Sequence, residues 1–207
     1  APDADRVRRV LERRGAEAPD DHVADVQRLV VAVAQGPVLG RLAGAREVRR
    51  EQPFAFPLGD AADTLVNGVV DVVGTEADGT VLVVDYKTDD VEDADLEELV
   101  ARSYAAQRRI YALAALHTGA PRAEVVHLFL GRPDEPVVAR YEAADRDRQG
   151  AELREAAADL VAGRFPVAAV PHRGLCLTCP GRRALCTHPE ELTLRPAPAA
   201  VGVHEGG

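Results

Sequence analysis

The spacing of apolar residues along the 207-residue chain changes period twice, and each change marks a different kind of element. Residues 3–14 and 21–35 carry apolar side chains at helical spacing, the second through Val23, Val26, Val30 and Val33, with the start signal "PDD" ahead of it. Pro37 opens a short third helical piece. From Glu47 the period drops to two, and three strands are expected: "EVRREQPFAF", "TLVNGVVDVVG" and "TVLVVDYK", with turns at Pro57–Asp60 and at "EADG". Helical spacing returns from about Asp95 to His117 as one long helix, closed by Gly119 and Pro121. "AEVVHLFL" and "EPVVARYEA" read as two more strands, and residues 145–162 as a last helix. The expected fold class is α/β with a mixed sheet: a three-stranded meander, a long helix, further strands, and a C-terminal segment that carries the cysteines.

A chain of 22.1 kDa, 46% hydrophobic, suits one compact core. The expectation is a single domain over 1–193, divided into a helical part (1–45), a core (46–165) and a cysteine segment (166–193). Residues 194–207, rich in Ala, Pro and Gly, have nothing to pack and are expected to be disordered. No internal repeat is visible. No run approaches the roughly 20 apolar residues of a membrane span, and no charged-then-apolar leader precedes a cleavage site, so a soluble, cytoplasmic protein is expected. The chain opens "APDADRVRRV" without a methionine, and the expectation is a piece of a longer protein.

Net charge sharpens the functional question. At −9 it argues against a freestanding nucleic-acid binder, because affinity for a polyphosphate comes largely from Lys and Arg displacing counterions. An enzyme that holds divalent cations nevertheless needs carboxylates, and a larger parent protein could supply the basic track. The arginine-rich composition, with a single Asn (Asn67) and a single Ile (Ile110), resembles the output of a GC-rich genome, in which lysine codons are scarce. Lys87, in "GTVLVVDYKTDD", is the only lysine.

Side chains alternate along a strand, so Asp85 and Lys87 share a face and Tyr86 takes the other. If Ala77, Asp78 and Gly79 form a three-residue loop with Gly79 left-handed, facing residue numbers sum to about 156 and Asp71 lies opposite Asp85. Val70, Val72, Leu82 and Val84 would then form one apolar face. A two-residue loop would shift the register by one and send Asp71 away. Two carboxylates and an ammonium on an apolar sheet are costly to desolvate, and a divalent cation such as Mg²⁺ or Mn²⁺ would offset that cost. A plain surface ion pair between Asp85 and Lys87 is the alternative reading of the same pattern.

The string "NGVVDVV…VLVVDYKTD" followed by "SYAAQRRIYALAAL" resembles the PD-(D/E)XK nucleases, and within them the RecB-like domain at the C-terminal end of AddA-type and UvrD-like helicases. The similarity runs from about Glu47 to Glu191. The family's Gly-x-x-Asp strand, Asp-x-Lys strand and Gln-x-x-x-Tyr helix correspond to Gly68 with Asp71, Asp85 with Lys87, and Gln107 with Tyr111. The resemblance implies a restriction-endonuclease-like core in which Asp71, Asp85 and the backbone carbonyl of Tyr86 hold Mg²⁺ or Mn²⁺. Lys87 would assist catalysis, and Gln107 and Tyr111 would support the site or touch DNA. The family's early His-x-x-Gly motif has no counterpart, since His22 stands in "HVAD".

Cys176, Cys179 and Cys186 are spaced C-x2-C-x6-C, which suits a metal or a reduced thiol cluster better than a secreted disulfide framework. The spacing resembles the three-cysteine end of those RecB-like nucleases that carry a 4Fe–4S cluster, whose fourth cysteine lies upstream. Within this chain His172 or His188 could complete a zinc site instead. A reduced-cysteine tail without metal is the remaining reading. Together these features imply a Mg²⁺- or Mn²⁺-dependent deoxyribonuclease, an exonuclease rather than an endonuclease, with DNA as substrate and helicase motor domains as partners in double-strand break repair. An inactive DNA-binding or assembly module, a stand-alone RecB-family exonuclease and a small metal-binding interaction domain are the alternatives.

Overall fold

The computed structural model describes residues 2–59, 64–165 and 167–197. Part of the expected turn at Pro57–Asp60 and the tail from residue 198 lie outside the described residues. The chain begins with three helices, α1 (Ala4–Arg13), α2 (Asp20–Gln35) and α3 (Pro37–Gly44), followed by β1 (Glu47–Pro57), β2 (Leu65–Thr75) and β3 (Val81–Lys87). Next come α4 (Leu96–Ser103), α5 (Ala105–Leu116), β4 (Arg122–Phe129), β5 (Val137–Glu142) and α6 (Arg146–Val161). Two short helices, α7 (Arg173–Cys176) and α8 (Glu190–Leu194), complete the described part.

The five strands form one mixed sheet in the order β1-β2-β3-β4-β5. All neighbouring strands are antiparallel except β3 and β4, which run parallel because α4 and α5 carry the chain across between them. Parallel strands at the centre of a sheet are covered on both faces, and their sequences read as unbroken apolar runs. Residues 81–85 of β3 and 123–129 of β4 are accordingly all buried. On one face Val81, Val83 and Val125 pack under Ala112, Ala115 and Leu116 of α5. On the other Val72, Leu82, Val84 and Val126 pack under Val38 and Leu42 of α3. α3 comes so close that a Cβ at Gly74 would stand 2.7 Å from Leu42 Cδ2. Arg41 fastens it there, with guanidinium bonds to Glu76 (2.7 and 2.9 Å) and to the buried Glu124 (2.7 Å).

The expected helix from Asp95 to His117 is broken at Tyr104, where φ is −122° and ψ 8°. The break lets the two halves serve different surfaces. α4 packs through Leu96 and Val100 on Phe129 and Val137, whereas α5 covers β3 and β4. Periodicity runs through the break because both halves are amphipathic.

By their contacts the described residues fall into two compact units, divided between residues 157 and 158. Within the second, Arg195 Nε donates to the Pro171 carbonyl (2.8 Å) and the Cys176 N–H to the His172 carbonyl (2.9 Å). No helix among the described residues is long and apolar enough to cross a membrane.

One core residue of the sheet is polar in an unusual way. His127 on β4 has no exposed surface, and neither ring nitrogen has a hydrogen-bond partner among the described residues. Burial, with Lys87 and Arg108 adding to it, lowers its pKa to about 4. The unfolded chain takes up this proton near pH 6.5 and the fold only near 4, so stability falls as pH drops through that window, by up to about 3 kcal/mol. Because an unsatisfied buried polar group costs about 1–3 kcal/mol, His127→Leu is expected to stabilise the fold, and by more as pH falls from about 7 to about 4.5. Urea midpoints of the two proteins across that range test this; a gap independent of pH would show that the imidazole is not held neutral.

Candidate active site

The site is built where β2 and β3 part. The loop Ala77–Gly79 closes with the Glu76 N–H donating to the Thr80 carbonyl at 2.9 Å and with Gly79 at φ 87°, a conformation that glycine adopts without strain. This three-residue loop fixes the register at Val72↔Val84, and the ladder ends there. At the next position the Asp71 side chain replaces the main chain, its Oδ2 accepting the Tyr86 N–H at 2.8 Å. The pairing of β1 with β2 is interrupted at the same level. Arg50 pairs with Val72 and Gln52 with Val70, while Glu51 between them takes φ 49°. That is a strained value for a residue with a side chain.

The interruption corrects one expectation. Val72, Leu82 and Val84 share a cluster, but Val70 belongs to the opposite one, with Val83 and Tyr111, because strict alternation lapses at Asp71. Gly68 has its own constraint. A Cβ there would lie 2.8 Å from Phe54 Cζ, and Phe54 meets the Tyr111 ring edge-on at a centroid distance of 6.0 Å. Glycine in the Gly-x-x-Asp pattern thus leaves room for an aromatic contact that reaches the site.

Asp85, Lys87, Gln107 and Tyr111 form a closed ring. Lys87 Nζ stands 2.6 Å from Asp85 Oδ2 and donates to Gln107 Oε1 at 2.8 Å. Gln107 Nε2 donates to the Tyr111 hydroxyl at 3.1 Å, and that hydroxyl reaches Asp85 Oδ1 at 3.5 Å and the Val69 carbonyl at 3.4 Å. One phenolic proton serves these last two acceptors, so each bond is weak. Spacing of i and i+4 places Gln107 and Tyr111 on one side of α5, which lies over β3.

Burial sets the electrostatics. The side chains of Asp85 and Lys87 are only 6% and 11% exposed. Burial pushes the Asp85 carboxyl above its ordinary range and Asp71 adds to the rise, while Lys87 pulls the other way. Burial and then Asp85 push Tyr111 up to about 12, which keeps its phenol protonated as a donor. Although Lys87 is close, Asp85 Oδ2 accepts no hydrogen bond of good geometry among the described residues. A buried carboxylate oxygen left in this state is suited to a cation.

Three residues outside the motifs, Tyr104, Asp89 and His127, stand around the ring. Lys87 Nζ lies 3.9 Å from the centre of the Tyr104 ring, and the Tyr104 hydroxyl donates to Asp89 at 2.8 and 2.9 Å to its two oxygens. Burial and Asp89 push that phenol up to about 12. His127 sits beside Asp85 in the parallel register and 5.6 Å from the Tyr104 ring. Strand parity in "AEVVHLFL" gives His127 the face of Val125 and Phe129; nothing in the sequence reveals that Tyr104 turns inward.

Hard oxygen donors are the right chemistry for Mg²⁺ or Mn²⁺: the carboxylates of Asp71 and Asp85, with the orphaned Oδ2, and the neighbouring carbonyl of Tyr86. Among the described residues no three His, Cys, Asp or Glu side chains are grouped as a metal ion would need. Two carboxylates still suffice for an ion that keeps waters and takes phosphate oxygens as its other ligands. The cysteines do not fit a cluster in the same way. Cys176 is buried, Cys186 half-buried and Cys179 exposed, all three are free, and among the described residues no histidine is grouped with them as a fourth ligand. His188 instead lies 2.9 Å from the Ala168 carbonyl.

No curated protein matches the chain. Among solved structures it is similar to the protein SSO0001, at 16% identity and a TM-score of 0.42, over 86% of this chain and 81% of that one. It is also similar to a protein of Eubacterium rectale provisionally named an exonuclease, at 10% identity and a TM-score of 0.47, over 90% of this chain and 70% of that one. The sequence profile of one family matches residues 2–187, a span that includes every residue of the Asp85–Lys87–Gln107–Tyr111 ring. The chain belongs to the PD-(D/E)XK nuclease superfamily.

Proposed function

We propose that this chain is a Mg²⁺- or Mn²⁺-dependent deoxyribonuclease domain that works as an exonuclease on DNA ends, within a helicase-nuclease or beside a motor partner in the cytoplasm. The observation that carries the reading is the buried ring that holds Asp85 and Lys87 next to Asp71. Family membership across residues 2–187 supports treating 1–193 as one nuclease domain. The helicase context rests on the motif resemblance, and a 4Fe–4S cluster would require a further cysteine from outside this chain.

Each residue then has a task. Asp71, Asp85 and the Tyr86 carbonyl would hold the cation, which when bound polarises a phosphoryl oxygen and acidifies a water. Lys87 is a compact ammonium whose donors can place the attacking water and neutralise charge growing on the phosphate. Gln107 orients Lys87 by accepting at 2.8 Å and is itself held by the Tyr111 hydroxyl. Tyr111 also supports Asp85, and the apolar walls keep bulk water from the pair.

A second reading, a fold that holds DNA without cutting it, is favoured by one observation: no His-x-x-Gly pattern stands among the residues ahead of the sheet, where the family carries its histidine. Cleavage assays separate the two. On end-labelled linear DNA with Mg²⁺ or Mn²⁺, Lys87→Ala is expected to cut at least about 100-fold more slowly than wild type with its fold intact. Lys87→Arg should be nearly as slow, because the guanidinium is wide, planar and fully charged. An arginine variant at the wild-type rate would reduce Lys87 to a simple charge. Absence of cleavage by wild type on any linear or circular DNA favours the binding module.

Metal dependence has its own test. Chelation with EDTA is expected to stop cleavage and added Mn²⁺ to restore it. Calorimetry should show weak Mn²⁺ binding that Asp85→Ala removes; equal binding by the variant would move the cation elsewhere.

A further inference from the structure

An ammonium has three N–H donors, and among the described residues two oxygens stand close to Lys87, one as a hydrogen-bond acceptor and one as an ion-pair partner. Asp85 Oδ2 stands at 2.6 Å and Gln107 Oε1 at 2.8 Å. A third neighbour is an aromatic face, with Nζ 3.9 Å from the Tyr104 ring centre, well inside the roughly 6 Å range of a cation–π contact. The ring itself is held firmly. Its hydroxyl donates to Asp89, its backbone occupies the break between α4 and α5, and His127, fully buried, lies 5.6 Å away at a tilt of 31°.

We propose that Tyr104 is a positioning residue for the nuclease reaction, its ring face fixing the Lys87 ammonium while leaving one N–H free for the attacking water or the phosphate. The physical point is the difference between a π face and an oxygen. A carbonyl or carboxylate at this position would accept a directional hydrogen bond and consume a further donor. The ring quadrupole attracts the charge without accepting such a bond, so the ammonium is held in place and still available. The break in the helix acquires a purpose on this view: Tyr104 stands at it, off the regular helical backbone at φ −122° and ψ 8°, with its ring against Lys87.

Because Lys87 is the only lysine, the contact can be read directly. Labelling with ¹³C- and ¹⁵N-lysine gives a single side-chain signal in the 207-residue chain. Its CεH₂ protons are expected upfield of free lysine in wild type and in Tyr104→Phe, through the ring current, and near the free position in Tyr104→Leu. In cleavage assays the Phe variant should stay close to wild type, while the Leu variant loses roughly tenfold in kcat with KM unchanged, the size of a partly desolvated cation–π contact. A wild-type lysine signal at the free position, or one that Tyr104→Leu leaves unmoved, overturns the proposal. Equal loss of kcat in the Phe and Leu variants also overturns it, since the Asp89 bond would then be the relevant contact. Should the Leu variant fail to fold, phenylalanines of increasing fluorine content at position 104 withdraw charge from the ring at nearly constant size; kcat should fall stepwise along the series, and a flat response counts against the ring. The kinetic arm rests on the function proposed above and the spectroscopic arm does not. A chain that cuts no DNA but shows the shifted lysine would sink the nuclease reading and leave the Tyr104 contact standing.

Discussion

A salt bridge between Lys87 and Asp85, 2.6 Å long and nearly sealed from water, is the interaction on which the rest of the site depends. Removing two such charges from water costs several kcal/mol per ion, and their mutual attraction offsets this only when the remaining donors and acceptors are satisfied. Gln107 and Tyr111 of α5, and Tyr104 just ahead of it, partner the pair from one side and leave Asp85 Oδ2 without a hydrogen bond of good geometry among the described residues. The sheet contributes the charges and the helix contributes their partners, so α5 cannot shift along β3 without exposing an unpaired buried charge. Lys87 places a point charge between a carboxylate, an amide and a ring face, a space that a planar guanidinium fork does not match.

Departures from regular backbone gather at the same level of the fold. The β2–β3 ladder stops at Val72↔Val84, Glu51 takes a left-handed conformation opposite Asp71, and the helix breaks at Tyr104. Regular pairing at Asp71 would give the Tyr86 N–H a main-chain partner; the interruption hands that N–H to the Asp71 carboxylate instead. Strain of this kind persists where the surrounding structure over-determines it. Nearby, Phe54 lies over Gly68 and Tyr111 against Phe54, which continues the aromatic wall up to Asp85.

Much of this molecule was determined by the sequence alone. Two-residue alternation and apolar runs marked all five strands, helical spacing marked the main helices, and the loop "ADG", with glycine where a left-handed residue is needed, set the register that brings Asp71 beside Asp85. These features are local, encoded within about a dozen neighbouring residues, and local preferences can be read without knowing the fold. Membership of the nuclease superfamily was equally visible, since it rests on short motifs in a fixed order. Tertiary structure alone decided the parallel pairing of β3 with β4, the break at Tyr104, the transfer of Val70 to the opposite face, and the burial of His127 without a partner. Each depends on groups far apart in the chain. His127 lies 42 positions from Asp85 and Tyr104 lies 17 from Lys87, so their positions were set only when α4 and α5 folded back to cover the sheet. Alternation says which face a strand residue occupies, but which side chain ends up against a buried charge is chosen by packing, where the cost of an unpaired ion outweighs any local preference.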